Sequence, residues 1–208
     1  MTDAEKIVRL STVMAEESNL NEALSLALLI EDVEDRNLYL VDISRTLLKQ
    51  GDWQRAHGVT EFMEGGYERA DALREIAEHA GLMGNIERSL SIFAEAETVS
   101  LNETSEGFWQ RAELLNKIAK SLSRVNAKTK SNEMRKRAIE IALQGRASTN
   151  PQESNDSDSV LAEIAVDIAY DGEISKALSS AELIHSVPRR ERALLQIASI
   201  SSDVRKVA

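Results

Sequence analysis

Three histidines are the side chains most able to bind a metal ion or to move protons near neutral pH. They are His57, His79 and His185, and no two of them are close in the sequence. Glu75 and His79 are four residues apart, so they would lie on one face of a helix. A helical zinc site needs a second histidine at that spacing. We therefore interpret this face as solvated and charged, and we predict no metal site.

Two other motifs have the residue types of ligand sites. The run Asp156-Ser157-Asp158 begins like a calcium loop, but Val160 and Leu161 stand where a ligand and the turn glycine are needed. Helix capping is the favoured interpretation of this run.

The two tryptophans are the other candidate ligand contacts. Trp53 falls in a core register, whereas Trp109, beside a long loop, is open to packing or to stacking on a ligand. The chain has no cysteine, which excludes thiolate nucleophiles. We predict no catalytic residue and no cofactor, and hence a protein that is not an enzyme.

A basic segment lies inside an acidic chain. Residues 109–146 carry ten Lys and Arg against three Asp and Glu, although the whole chain carries 25 against 35. We interpret the segment as an exposed helix that is paired with acidic neighbours. The alternative is a dock for an acidic peptide, a phosphate-bearing partner or a second copy of the chain. Its densest part consists of Arg124, Lys128, Lys130, Arg135, Lys136 and Arg137.

Charge and hydropathy also indicate which partners are excluded. The net charge of −10 disfavours binding to nucleic acid or anionic lipid by the protein as a whole. The basic residues are not interleaved with aromatic side chains, which single-stranded nucleic acid would need. The start of the chain lacks a signal-peptide pattern, and the longest apolar run, from Leu26 to Ile30, is too short to cross a bilayer. We expect a cytoplasmic protein with no nucleic-acid partner and no membrane partner.

One short pattern recurs six times: a large aliphatic residue, two variable residues, a second aliphatic residue and a small residue. The small residues are separated by 33, 33, 42, 46 and 33 positions. Three equal intervals indicate a structural repeat, and the two longer ones indicate the same unit with inserted loops. The copies are Ile7/Leu10/Ser11, Leu40/Ile43/Ser44, Leu73/Ile76/Ala77, Leu115/Ile118/Ala119, Leu161/Ile164/Ala165 and Leu194/Ile197/Ala198.

A turn follows most copies at a fixed distance. The residue seven positions after the small residue is a serine or a glycine, and a polar residue follows it. Glycine can adopt the left-handed conformation that ends a helix, and the polar residue can cap the next helix. A second apolar stripe then begins, as in Ile174 and Ala177. The fourth unit has neither serine nor glycine at that position, so we predict that its turn is lost. The turn residues are Ser18, Gly51, Gly84 and Gly172.

These patterns predict an all-α protein, an α-solenoid of stacked antiparallel helix hairpins. About 11 helices would form about 5.5 repeats of ~33 residues. We expect one domain over residues 1–208. Residues 145–158 are polar and nearly free of apolar side chains, so we expect a flexible loop there. A C-terminal capping helix is predicted at 189–201, after Pro188.

The stretch from Leu48 to Ala56, LKQGDWQRA, resembles the turn of a tetratricopeptide repeat, in which a glycine-acid-aromatic step leads to a small residue. Two looser versions follow Gly84 and Gly172. The resemblance covers roughly residues 4–200, although the period is 33 here and about 34 in the family. It implies a non-catalytic module that binds a peptide or protein segment in a concave groove.

The repeat register also predicts where a partner binds. Residues just after the first aliphatic residue and just after the small residue would face the inner curve of the stack. Tetratricopeptide proteins that hold a carboxylate-ended peptide use Lys, Asn and Arg there, so the resemblance implies an acidic ligand. A solvated charged face is the competing interpretation. The alternative function is a structural or regulatory homo-oligomer that assembles through the basic fourth repeat. The predicted partner-binding groove consists of Arg45, Arg74, Glu78, Asn116 and Lys120, with Arg135, Lys136 and Arg137 as a secondary basic patch.

Overall fold

A computed structural model of the chain describes residues 19–102 and 107–207, and for residues 203–207 it describes the backbone alone. Helix accounts for 83% of the described residues, and none of them forms a β-strand. The all-α prediction is therefore confirmed. The ten α-helices of the described chain are α1 Leu20–Ala27, α2 Val33–Lys49, α3 Trp53–Val59, α4 Gly66–Leu82, α5 Ile86–Asn102, α6 Phe108–Arg124, α7 Lys128–Arg146, α8 Pro151–Tyr170, α9 Ile174–Ala181 and α10 Val187–Val207. A short 3-10 helix, Thr60–Phe62, follows α3.

The aliphatic and small residues of the repeat form the core of the hairpins. In α2, α4, α6 and α8, both aliphatic residues and the small residue are buried. Ser89 Oγ in α5 donates a hydrogen bond to the Ala77 carbonyl oxygen over 2.7 Å, and Ser131 Oγ in α7 donates to that of Ala119 over 2.8 Å. Small residues at these positions let two helix backbones approach closely. The first copy, around Leu10, lies outside the described residues.

A residue in the left-handed conformation follows the first helix of each of the four hairpins that the structure describes in full. Gly51, with φ of 80°, is part of a Schellman turn in which the next backbone N–H donates to the carbonyl five residues back, over 2.9 Å. Asn126, with φ of 63°, makes the same turn between α6 and α7, also with a bond of 2.9 Å. The interpretation that the fourth unit has lost its turn is therefore wrong. Asparagine replaces glycine there because its short polar side chain tolerates the left-handed region.

The chain divides into two compact units, Met1–Glu103 and Thr104–Ala208. In the first unit, α1 packs on α2, and the α2/α3 hairpin packs on the α4/α5 hairpin through α2 and α4. In the second unit, α8 contacts α6, α7, α9 and α10. Stacked helix hairpins are thus present within each unit. The single domain over 1–208 stays a prediction.

Most of the segment 145–158 is helical, so the flexible loop predicted there is wrong. Helix α7 continues to Arg146 and α8 begins at Pro151, which leaves residues 147–150 between them. The Asn150 side chain caps α8 by accepting a hydrogen bond from the backbone N–H of Gln152 over 3.0 Å. Proline suits the first position of a helix because the N–H it lacks would have no partner there.

Close contact between α7 and α8 explains the small polar residues of this segment. Ser157 in α8 is fully buried, and a Cβ atom on Gly145 in α7 would clash with the Ser157 Oγ atom and would also meet the Phe108 Cβ atom of α6 at 2.7 Å. Asp158, also buried, accepts hydrogen bonds from the backbone N–H groups of His185 and Ser186, at 3.1 and 2.7 Å. Asp158, inside α8, therefore holds the backbone that directly precedes a later helix, α10.

The last helix contains the predicted segment 189–201. It packs on α8 and α9, and Ile197 is fully buried while Leu195 is 73% exposed. Its role as the cap of the array stays a prediction. Among the helices that the structure describes, none is long and apolar enough to cross a lipid bilayer.

Candidate ligand-binding site

The two histidines of the first unit have different surroundings. His57 Nε2 in α3 lies 3.0 Å from Glu95 Oε2 in α5. His79 Nε2 in α4 is buried, with no hydrogen-bond partner in the described chain. Glu75, one turn before His79, binds Arg45. Within the part of the chain that the structure describes, no three His, Asp or Glu side chains are placed to hold a metal ion.

The predicted groove residues of the first unit belong to an ion-pair network on α2 and α4. Arg45 Nε and Nη2 each donate to the Glu75 carboxylate over 2.9 Å. Arg74 Nε donates to Asp71 Oδ1 over 2.7 Å, and its Nη1 lies 3.5 Å from Glu78 Oε2. Two guanidinium groups thus face three carboxylates. This surface has no surplus of positive charge with which to attract an acidic ligand.

The two groove residues of the second unit, Asn116 and Lys120, both contact Asp167. Asn116 is 1% exposed, and its Nδ2 donates to Asp167 Oδ2 over 2.8 Å. It therefore positions Asp167 and is out of reach of a partner. Lys120 Nζ lies 3.2 Å from Asp167 Oδ1, and its side chain is 36% exposed. A single groove that combines these residues with those of the first unit stays a prediction.

Two carboxylates share the ammonium group of Lys120. Besides Asp167, Glu163 Oε1 lies 3.7 Å from Lys120 Nζ. Glu163 has a side chain that is 46% exposed. Its partial burial raises its pKa above the ordinary value, and repulsion from the Asp167 carboxylate raises it further, against the opposing attraction of Lys120. Lys120 is therefore surrounded by more negative charge than it neutralises.

The predicted basic patch is divided between the interior and the surface. Arg135 is 3% exposed, and its Nη1 donates to Asp171 Oδ2 over 2.7 Å. Lys136 is 80% exposed, with its Nζ 4.0 Å from Glu140 Oε1, and Arg137 is also exposed. These three residues therefore do not form one patch, because successive helix positions point in different directions.

Asp171 links α6 and α7 to the turn after α8. Its Oδ2 accepts hydrogen bonds from Ser123 Oγ over 2.5 Å and from Arg135 Nη1 over 2.7 Å. Burial acts to raise the pKa of Asp171, but these hydrogen bonds and the charges of Arg135 and Lys128 outweigh that effect, and the pKa is lowered. Asp171 is thus ionised and held in place at neutral pH.

An open cleft of about 550 Å³ lies beside Asp171, and we call it the basic cleft. Helix α6 contributes Lys120, Ser123 and Arg124 to its lining. Helix α7 contributes Lys128 and Arg135. Asp167, Tyr170 and Asp171 complete the lining. Four positive and two negative side chains leave the lining with a net charge of +2, on a chain whose net charge is −10.

The accessible part of the basic cleft is cationic and aromatic. Arg124 and Lys128 are exposed, and Tyr170 is 72% exposed. Ammonium and guanidinium groups form charge-assisted hydrogen bonds with carboxylate and phosphate oxygens. The cleft can therefore hold an anionic group.

Sequence reasoning placed Lys120, Arg124 and Lys128 in a basic segment but missed Tyr170 and Asp171. A signal for both residues was present, because they directly precede Gly172, the turn glycine of the fifth unit. When hairpins stack, the turn of one unit lies beside the turn of the next. The turn after α8 therefore had to approach the basic segment that surrounds the turn after α6.

Comparison with solved structures concerns the fold. Ton1535 from Thermococcus onnurineus NA1 matches with a TM-score of 0.60 at 15% sequence identity, over 94% of this chain and 57% of that chain. This chain thus spans little more than half of that protein. Kinesin light chain TPR-like repeats from Podosopora anserina match over 96% of this chain and 95% of that chain, with a TM-score of 0.46 and 13% identity. The likeness to Ton1535 concerns the fold alone. The stacked hairpins of the structure confirm the helical-repeat architecture predicted from the sequence.

Sequence comparison adds no closer relationship. No family model and no curated protein sequence matches the chain.

Proposed function

We propose that this tetratricopeptide-like chain is a non-catalytic protein-interaction module that binds an acidic segment of a partner in the basic cleft. The observation that carries the proposal is the net positive charge of this cleft on an acidic chain. Such a local excess attracts anionic ligands and orients them on approach. Stacked helix hairpins hold the cationic side chains on rigid elements.

The proposed surface overlaps the groove expected from the repeat register only at Lys120. Arg45 and Arg74 are engaged by carboxylates of their own unit, and Asn116 is buried. Lys120 remains accessible and lines the basic cleft. The proposal therefore retains the acidic ligand expected from the sequence, but its binding site lies nearer to Arg124 and Lys128.

The chemistry of the cleft favours binding over catalysis. General acid–base catalysis works best with a group whose pKa lies near the working pH. The pKa of Asp171, one of the residues that line the cleft, is lowered, so this carboxylate keeps its charge at neutral pH. Lysine and arginine side chains in general stay protonated at neutral pH as well. Groups of constant charge suit an electrostatic docking surface.

A matched pair of charge reversals tests the proposal. Lys128 and Lys130 are both exposed residues in the first turn of α7, but Lys130 is not among the residues that line the cleft. Binding of a fluorescent Asp/Glu-rich peptide is measured by anisotropy at low and moderate salt. We expect the wild-type protein and Lys130→Glu to bind, more tightly at low salt, and Lys128→Glu to lose binding. Equal losses in both variants would show that the total charge matters and the cleft does not.

A second copy of this chain is one candidate for the acidic partner, because most of its Asp and Glu lie outside the basic segment. Sedimentation at low salt distinguishes this homo-oligomer from a module with a separate partner. A dimer that Lys128→Glu dissociates and Lys130→Glu preserves would identify the second copy as the ligand. A monomer under all conditions would assign the cleft to a different protein.

A further inference from the structure

A second cleft of the second unit lies between α7 and α9, and we call it the apolar groove. Its volume is about 640 Å³, which is in the range of clefts that bind ligands. Ile139 in α7 and Ile168 in α8 supply its aliphatic surface. Ile168 is 5% exposed and Ile139 is partly buried. The groove therefore opens over aliphatic side chains that continue into the core.

Hydrogen bonds between α7 and the α9 region close both ends of the apolar groove. At one end, Asn132 Nδ2 in α7 donates to Glu173 Oε1, directly before α9, over 3.1 Å. At the other end, Arg146 Nη1 in the last turn of α7 donates to the carbonyl oxygen of Leu183, which follows α9. The two helices are thus fixed at both ends while the space between them stays open. A preformed groove spares a ligand the cost of ordering it.

Three polar side chains around the apolar groove have partners within the protein. Ser179 Oγ donates to the carbonyl oxygen four residues back in its own helix, over 3.2 Å. Lys136 Nζ lies 4.0 Å from Glu140 Oε1, and Lys176 pairs with Glu173. These groups do not need a ligand, so the groove mainly offers apolar contact. Burial of an apolar side chain is favourable in proportion to the area that leaves water.

The apolar groove adjoins the basic cleft. Arg135 lines both of them, and its ion pair with Asp171 holds this shared wall in place. At the rim of the apolar groove, Lys136 and Lys176 are 80% and 63% exposed. Exposed ion pairs are weak, so both lysines can exchange their partner for a carboxylate of a ligand. A segment whose acidic residues occupy the basic cleft therefore meets an apolar surface with a cationic rim directly beside it.

We propose that the apolar groove binds a large apolar side chain of the acidic segment that the basic cleft holds. This inference rests on the proposed function and adds a sequence requirement to it. Carboxylates orient the segment by charge, and a Leu or Phe beside them supplies contact area. An acidic sequence without such a side chain is therefore an incomplete ligand.

Paired peptides test the sequence requirement. Each pair has one acidic sequence, with Leu in one member and Ala in the other, and the substituted position is moved along the sequence from pair to pair. Binding to the full chain is measured by fluorescence anisotropy. At the best position we expect the Leu peptide to bind at least about tenfold more tightly than its Ala counterpart, because a leucine side chain leaves water.

Salt separates the charged contribution from the apolar one. The affinity of both peptides should fall between low and moderate salt, because salt screens exposed charges. The ratio of the two affinities should stay nearly constant, and calorimetry should give the more negative heat-capacity change for the Leu peptide. Equal affinities at every position would overturn the inference but leave the acidic-segment function standing.

A matched pair of variants locates the apolar side chain. Ser179 lines the apolar groove and is exposed, so Ser179→Phe should fill the groove without disturbing the core. Ser199, an exposed serine of α10, is not among the lining residues, and Ser199→Phe is the control. We expect Ser179→Phe to remove the advantage of the Leu peptide and to leave the affinity of the Ala peptide unchanged. An advantage that persists in Ser179→Phe, or that both variants lose, would overturn the assignment to this groove.

Two further measurements complete the test. Circular dichroism confirms that both variants are folded, and Ile139→Ala, a smaller change in the same groove, should reduce the advantage of the Leu peptide. Sedimentation of the chain alone tests a second copy as the occupant: a dimer that Ser179→Phe dissociates would overturn the proposal. If neither acidic peptide binds the wild-type protein at low salt, the inference and the proposed function are contradicted together.

Discussion

Arg135 and Asp171 form a hydrogen-bonded ion pair of 2.7 Å between α7 and the turn that follows α8. The arginine side chain is 4% exposed and the aspartate side chain is 27% exposed. One charge of the pair is therefore out of contact with water and depends on the other for its stabilisation. The same pair holds two hairpins of the second unit together and shapes one wall of the basic cleft.

Removing the carboxylate of this pair should destabilise the protein. We expect Asp171→Asn to lower the free energy of unfolding by about 3 kcal/mol, because Arg135 would remain buried without its hydrogen-bonded carboxylate. Urea denaturation at neutral pH measures the change. Asp156→Asn is the control: this residue bonds to Gln152 on the exposed face of α8, and its replacement should change stability by less than about 0.5 kcal/mol.

Acid should remove the same stabilisation. Because the pKa of Asp171 is lowered from 3.8 in the folded protein, its contribution is fully present above that value and is lost as the pH falls through the folded-state pKa. The stability difference between the wild-type protein and Asp171→Asn should therefore shrink in acid. A difference that is small at neutral pH, or that does not change with pH, would contradict the assigned role of the pair.

Gly145 tests the close contact of α7 with its neighbours. Alanine is favoured over glycine inside a helix by about 1 kcal/mol, but a Cβ atom at Gly145 would lie 2.7 Å from Phe108 Cβ. We expect Gly145→Ala to lower the free energy of unfolding by roughly 1–3 kcal/mol through overpacking. Gly58, in α3, has no atom within 4 Å of such a Cβ, so Gly58→Ala should be neutral or stabilising. Thermal unfolding compares the two variants, and a stabilised Gly145→Ala would mean that the helices are farther apart.

The small residues of the repeat make a parallel prediction for the first helices. Ala77 and Ala165 are fully buried, so enlarging either to Phe should destabilise the protein by roughly 1–3 kcal/mol or more. Glu87 is exposed and should tolerate the same change. Melting temperatures measured by circular dichroism decide the matter. Unchanged values for both alanine variants would mean that the repeat register is wrong.

Glu163 should make stability depend on pH in the opposite direction from Asp171. Its pKa is raised from 4.5 by burial and by Asp167, so its contribution is favourable below that value and is lost as the pH rises through the folded-state pKa. Glu163→Gln should therefore gain stability relative to the wild-type protein between acid and neutral pH. NMR titration of the Glu163 side chain should give a midpoint above 4.5. A midpoint below 4.5 would show that attraction to Lys120 outweighs the effects of burial and of Asp167 on the pKa of Glu163.

The repeat and the helical class were predictable because the pattern of burial is local in the sequence. Leu73, Ile76 and Ala77 occupy one buried face of α4, and the same spacing is buried in α2, α6 and α8. The turn after α6 was missed because only serine and glycine were accepted at the turn position. Asn126 stands at the expected distance of seven residues from Ala119, and asparagine is the next most tolerant residue there.

The flexible loop at 145–158 was mispredicted, and the partner-binding groove stays a prediction. Both outcomes have physical reasons. Gly145 and Ser157 are polar or small in sequence, yet close helix contact buries them, and hydrophobic periodicity does not report such packing. The repeat register placed Arg45 on a helix face. It did not reveal the ion-pair partner of Arg45, because Glu75 is 30 residues away in the sequence. Ion pairs between helices depend on side-chain reach, so the surplus charge of a surface could not be inferred from the register.

Amide chemical shifts of the isotope-labelled full chain, followed while an Asp/Glu-rich peptide is added at low salt, test the proposed binding surface most directly. We predict that the largest shifts occur at Arg124, Lys128 and Tyr170 and that they saturate together, while the amides of Arg45 and Arg74 stay unchanged. Shifts centred on Arg45 and Arg74, or the absence of saturable shifts around the basic cleft, would contradict the claim that this cleft binds the acidic segment.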